Sequence, residues 1–230
     1  MKLLALESSS DRCSVALWCD GVLSSRCGDG AQTHSGLMLP FVDALLAEAG
    51  LRVRSLDALA FGAGPGGFTG LRLACGVAQG LALAADLPVI AVGSLEAMAL
   101  GSGREIAYVC VDARMNEVYC AAYRVEDDRL QTVLEPVVAA PGAAPLPPGQ
   151  GWHGVGSGFR AYREALRQRL GERLAAEDGN AVPEARHIVT LALQRWQRGE
   201  RPDAASAVPF YVRDKVALTT AERFAGTTMP

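Results

Sequence analysis

The sequence predicts an α/β fold built on a mixed β-sheet. Apolar runs and turn signals read β-β-β-α-β-α-β through residue 92. Short polar turns join the first three strands into a meander, and the two helical segments that follow are crossovers bringing later strands in parallel. Half of the 230 residues are hydrophobic and a fifth are charged, a balance that excludes intrinsic disorder.

The elements follow in order. Lys2–Leu6 reads as a buried strand and Ser8-Ser9-Ser10-Asp11 as a polar turn. Cys13–Cys19 and Val22–Cys27 are strands joined by the hairpin signal Asp20-Gly21. Thr33 or Ser35 caps a helix that runs to Ala49, Gly50 ends it, and Pro40 predicts a kink or a late start. Leu56–Phe61 is a strand, Gly62–Gly70 a glycine loop, Leu71–Ala85 a helix, and Leu87–Val92 another strand. The texture changes near Gly101-Ser102-Gly103, which predicts a first lobe over 1–101, a second over 102–213, and a tail over 214–230, packed back or mobile. In the second lobe, Arg104–Val111 and Glu117–Arg124 form a hairpin around Asp112–Asn116, and Pro141–Gly151 is a surface loop. Helices are expected over Phe159–Leu174 and Glu184–Arg198, then an extended segment containing Pro209–Arg213.

Composition narrows the function. The six cysteines make no Cys-x-x-Cys pair and there are only three histidines, so no zinc site is expected and the thiols are read as reduced. A net charge of −3 argues against a large nucleic-acid footprint. The most apolar run, Leu71–Leu87, is interrupted by Arg72, Gln79 and Asp86, so no membrane association is expected. Glu7 arrives too early for a signal peptide, and the expectation is a soluble, cytoplasmic protein.

Two helices are apolar over too wide an arc. The first carries Leu37, Met38, Leu39, Phe41, Val42, Leu45, Leu46 and Ala49, spanning roughly 200° against about 100° for an ordinary surface helix. In the second, the polar residues fall within a stripe of roughly 40°. Ala74, Ala78 and Ala82 stack at intervals of four, as do Gly76 and Gly80, and such spacing lets another helix approach closely. The residues leave open whether the chain's own sheet or another subunit covers the excess.

Gly62-Ala63-Gly64-Pro65-Gly66-Gly67 fits the Gly-x-Gly-x-x-Gly dinucleotide pattern, but its context is wrong. Asp86 precedes a strand instead of ending one, and the motif follows a three-stranded meander. No Gly-Lys-Ser/Thr is present, so a Walker-type loop is excluded. What remains is a tight turn into a helix whose start can take an anion. Glu7, Ser9 and Asp11 in the first turn, with Gly64 and Gly66, are weak candidates for phosphate or hydrated Mg²⁺; a plain hairpin turn explains the same residues.

The ordered set Leu4-Ala5-Leu6-Glu7-Ser8-Ser9, Gly64-Pro65-Gly66-Gly67-Phe68-Thr69-Gly70-Leu71-Arg72, Ala78-Gln79-Gly80-Leu81-Ala82, Ser94-Leu95-Glu96-Ala97, Asp112-Ala113-Arg114-Met115 and Tyr211-Val212-Arg213 resembles the bacterial TsaB (YeaZ) family. The likeness is dense over 1–125 and thin beyond, apart from the tail. It implies an actin/hexokinase-like ATPase (ribonuclease H-like) fold of two related lobes, and a non-catalytic paralogue of TsaD. The machinery places threonylcarbamoyl on N6 of adenosine 37 in tRNAs reading codons that begin with A. TsaD and the ATPase TsaE are the implied partners, with tRNA met only through the complex and a homodimer when the chain is alone. ATP or ADP at the joint with TsaD is the one cofactor the resemblance suggests. The implied interface is Leu37, Met38, Phe41, Val42 and Leu45 on the first helix, and Ala74, Val77, Ala78, Leu81 and Ala82 on the second. Ser94 and Met98 stand where the catalytic sister carries a His-x-x-x-His metal pair, and neither is a hard-metal ligand. The chain departs from the family pattern at Glu7, Gly67, Asn116 and Cys120.

Two other readings compete. One is a stand-alone ATP-binding phosphotransferase or ATPase using Glu7, Asp11 and the glycine loop. The other is direct tRNA binding through Arg160, Arg163, Arg167, Arg169 and Arg173, against which stands a solvated helix face.

Overall fold

The computed structural model describes residues 1–29, 34–127 and 129–212. Thr33, Arg213 and the tail over 214–230 lie outside the described residues. The first sheet is β1 (Lys2–Glu7), β2 (Arg12–Cys19), β3 (Val22–Asp29), β4 (Ala58–Gly64) and β5 (Val89–Gly93), in the order β3-β2-β1-β4-β5. β1, β2 and β3 pair antiparallel, whereas β4 and β5 extend the sheet parallel to β1. The second sheet is β6 (Ile106–Arg114), β7 (Glu117–Glu126), β8 (Arg129–Ala139), β9 (Trp152–Val155) and β10 (Leu174–Asp178). Its order, β8-β7-β6-β9-β10, and its strand directions repeat those of the first. The chain is therefore two copies of one ribonuclease H-like topology, the arrangement of the actin/hexokinase-like fold.

The helices are α1 (His34–Glu48), α2 (Phe68–Ala85), α3 (Ser94–Gly101), α4 (Ser157–Ala161), α5 (Arg163–Leu170) and α6 (Ala185–Gln197). They make a layered stack because strand residues alternate between two covered faces. Leu4 and Leu6 of β1, with Val15 and Leu17 of β2, pack under α1 and α2. Leu3, Ala5, Ala16, Ala58 and Ala60 face Ile188, Val189 and Ala192 of α6 on the other side. Small alanines on that face let the helix settle close to the strands. α3 packs against Ala107, Val109, Ala121 and Tyr123 of the second sheet, and α4 and α5 cover its far face around Tyr108, Trp152 and Phe159.

Several expectations need correcting. Residues 185–212, assigned above to the second lobe, pack on the first: α6 lies on its sheet, and Val89 N–H donates to the Pro202 carbonyl at 3.1 Å. The single helix over 159–174 is broken at Tyr162, whose hydroxyl bonds Asp112 at 3.3 Å, and ends at Gly171, where φ is +54°. The residues that follow become the edge strand β10. α1 runs through Pro40 without a break, and Ser35 lies within it, one residue after His34. α2 begins at Phe68, three residues early, and its eighteen residues are long and apolar enough to cross a bilayer by composition. Leu71, Ala74, Cys75, Ala78 and Ala82 are instead buried on the first sheet.

Candidate functional site

The first turn and the glycine loop meet and interlock. Glu7 ends β1 fully buried. Its Oε1 accepts the Ser9 N–H at 2.5 Å and its Oε2 accepts the Ser94 hydroxyl at 2.9 Å. Ser94 Oγ in turn lies 3.1 Å from Ser9 Oγ and accepts the Gly64 N–H at 3.2 Å. Glu7 has no cation among these partners, and burial pushes its carboxyl above the ordinary value, partly offset by the Ser9 and Ser94 hydrogen bonds.

The glycines are explained by this approach. A Cβ on Gly62 would lie 1.7 Å from Glu7 Oε2, and one on Gly70 would lie 1.7 Å from the Ser8 carbonyl oxygen. A Cβ on Gly66 would lie 2.7 Å from the Ser9 carbonyl oxygen, and Gly67 N–H donates to that carbonyl at 2.7 Å. Of the weak candidates, Glu7, Ser9, Gly64 and Gly66 thus come together, while Asp11 stays exposed on the turn. Glu7, Ser9, Ser94 and the N–H groups of Gly64 and Gly67 are thus bonded to one another within the chain. Sequence reasoning missed Ser94 as the centre of this network, because nothing local marks a serine 87 residues from its partner. Met98, at the other implied metal-pair position, is buried against the second sheet.

The second feature is the outer face of α1 and α2. Six of the ten interface candidates point inward: Met38, Val42, Leu45, Ala74, Ala78 and Ala82 are all 2% exposed or less. The sheet covers them, because the apolar arc of each helix is wide enough to serve two faces and these residues lie on the inner one. Leu37, Phe41, Val77 and Leu81 sit half-buried at the flanks. Turned outward are Leu39 on α1, and Arg72, Gly76, Gly80 and Leu83 on α2, with Leu83 64% exposed. No neighbour comes within 4 Å of a Cβ built on Gly76 or Gly80. The sequence marked Gly76 and Gly80 only as a small-residue pair like the alanine row, and the expected interface left out all five outward residues; burial alone separates them from the alanines.

The arginine row is occupied. Arg163 and Arg167 bond Glu177 and hold its carboxyl below the ordinary value despite partial burial. Arg169 and Arg173 donate to the Ala144 and Pro147 carbonyls, and Arg160 to Asn180.

Residues 28–221 match the family model of TsaD, tRNA N6-adenosine threonylcarbamoyltransferase. The chain is 34% identical to the tRNA threonylcarbamoyladenosine biosynthesis protein TsaB of Escherichia coli, over 94% of this chain and 96% of that one. It is also 34% identical to the TsaB of Haemophilus influenzae, over 94% and 95%. The solved YeaZ of Pseudomonas aeruginosa superposes with a TM-score of 0.85 at 38% identity, covering 91% of this chain and 99% of that one. Full-length sequence likeness, a shared fold and the match to the transferase model converge: the chain belongs to the TsaB (YeaZ) family of tRNA threonylcarbamoyladenosine biosynthesis proteins.

Proposed function

We propose that this chain is the docking subunit of the threonylcarbamoyl-transfer machinery and performs no transfer itself. It pairs in the cytoplasm with a TsaD-type transferase through the outer face of α1 and α2, and helps recruit the ATPase TsaE. TsaD passes the threonylcarbamoyl group from threonylcarbamoyl-AMP to N6 of adenosine 37. Alone, the chain pairs with a second copy through the same face. ATP or ADP, on this reading, sits at the joint with the transferase, and tRNA is met only through the complex.

The observation that carries the reading is the division of labour on α2. Its inner face is consumed by the sheet, while Gly76, Gly80 and Leu83 leave an apolar stripe with room for another helix. The interlocked first turn adds support, since Glu7, Ser9 and the glycine loop are engaged with one another. Ser94 and Met98 bring no imidazole to the place where the sister enzyme holds metal. The occupied arginines of α4 and α5 support tRNA contact through the complex.

Light scattering after gel filtration tests the proposal on the chain alone and mixed with the transferase. A homodimer should convert to a 1:1 heterodimer, and Leu83→Arg should abolish both without changing the fold. A chain that ignores the transferase, or that binds and turns over Mg-ATP alone at micromolar concentration, would overturn it.

A further inference from the structure

The helix pair alone is a small docking surface. α2 has eighteen residues, so it is about 27 Å long, and two helices side by side span roughly 20 Å. Their outer face offers about 500 Å², below the roughly 600–1,000 Å² per partner of a standard stable interface.

The chain itself extends that face. Residues 202–212 return along α2 as a strap. The Gln79 amide donates to the Ala204 and Ala207 carbonyls at 3.2 and 3.0 Å, and Phe210 N–H donates to the Ala63 carbonyl at 2.7 Å. At the start of α2 the strap lays Tyr211 beside Phe68, with ring centroids 6.3 Å apart. The Arg72 guanidinium sits 3.8 Å over the Phe68 ring, and its Nε donates to Tyr211 Oη at 3.3 Å. Phe68, Phe210, Tyr211 and Val208 are 41%, 43%, 50% and 59% exposed. Backbone and glutamine bonds thus fix the strap so that its large apolar side chains stand in water, contiguous with the open stripe of α2. Patches of this kind mark interaction sites, and tyrosine and arginine are the residue types that carry interface energy once desolvated.

We infer that the strap is a working part of the docking face, and that Phe68, Arg72, Phe210 and Tyr211 form its anchor. The occupant is a chain of the same fold that presents its own helix pair. The five residues 208–212 add roughly 150 Å², at about 3.3 Å per residue and 10 Å width, which lifts the face into the standard range. A protein fits better than RNA, because among the described residues of the anchor Arg72 is the one cation and phosphate contact needs several. The inference rests on the docking reading above.

The experiment is calorimetric titration of the full chain with the transferase. Tyr211→Ala should weaken binding about thirtyfold, Tyr211→Phe less than threefold, and Leu83→Arg should abolish it. Val208→Arg, at an exposed position on the strap, should also weaken binding at least tenfold, and it decides the matter if Tyr211→Ala lowers the melting temperature. If Leu83→Arg abolishes binding while the strap variants stay within twofold of wild type, the anchor is refuted and helix docking stands. If Leu83→Arg has no effect either, both readings fall. A tRNA gel shift by the chain alone that Tyr211→Ala removes would refute the protein occupant.

Discussion

Gly76 and Gly80 give the sharpest link between local structure and function. Both lie inside α2 at exposed positions, and a Cβ on either would meet nothing within 4 Å. In a helix interior each glycine costs about 0.5–1 kcal/mol relative to alanine, through backbone entropy of the unfolded chain. The double replacement Gly76→Ala/Gly80→Ala should therefore stabilise the monomer by about 1–2 kcal/mol. For a chain of this size that raises Tm by roughly 2–8 °C. The same two methyls should hold a partner helix away and weaken pairing at least tenfold, which is about 1.4 kcal/mol. Urea unfolding, at a concentration where the chain is monomeric, measures the first effect, and titration with the transferase measures the second. A double variant that is more stable and pairs as tightly as wild type would refute close helix approach at this stripe. One that is less stable would refute the helix-interior account of the two glycines.

Three further outcomes follow from the interlocked turn and the thiols. Gly70→Ala drives a methyl onto the Ser8 carbonyl oxygen, where only backbone can yield, and should cost about 3 kcal/mol of unfolding free energy, measured by urea unfolding. Glu7 has a folded pKa above the ordinary 4.5, so its contribution to stability is fully present below that value and is lost as pH rises through the folded one. Glu7→Gln should accordingly melt higher than wild type at pH 8 and match it near pH 4, as thermal melts across that range would show. Cys27 is the exposed thiol, whereas Cys13, Cys75, Cys110 and Cys120 are buried and burial pushes Cys13 up to about 11. A thiol reagent on the native chain should modify Cys27 first, reach the four buried thiols only on unfolding, and lose its fast phase in Cys27→Ser.

Much of the first half could be read locally. Its strands are continuous apolar runs, Asp20-Gly21 has positive φ at both residues as a tight hairpin requires, and Gly50 ends α1 with φ at +63°. The second half hid more. β8 carries Pro136 on an edge strand, and β10 is largely exposed and lacks alternation, so its pairing with β9 decides its form. α3 is buried on nearly every side and has no amphipathic signature to detect.

The sequence by itself determined the mixed first sheet, the turn chemistry, the kinship and the surplus of apolar surface on two helices, because each is written in residue type and short-range spacing. Tertiary structure alone decided which part of that surplus faces out. Ala78 and Gly80 are two positions apart on one helix, and only the sheet beneath α2 makes the first core and the second surface. It alone joined Glu7 to Ser94 and folded residues 202–212 back over α2. Those contacts span more than eighty residues of chain, and closing such loops is settled by the summed packing of the whole fold, which no local pattern encodes.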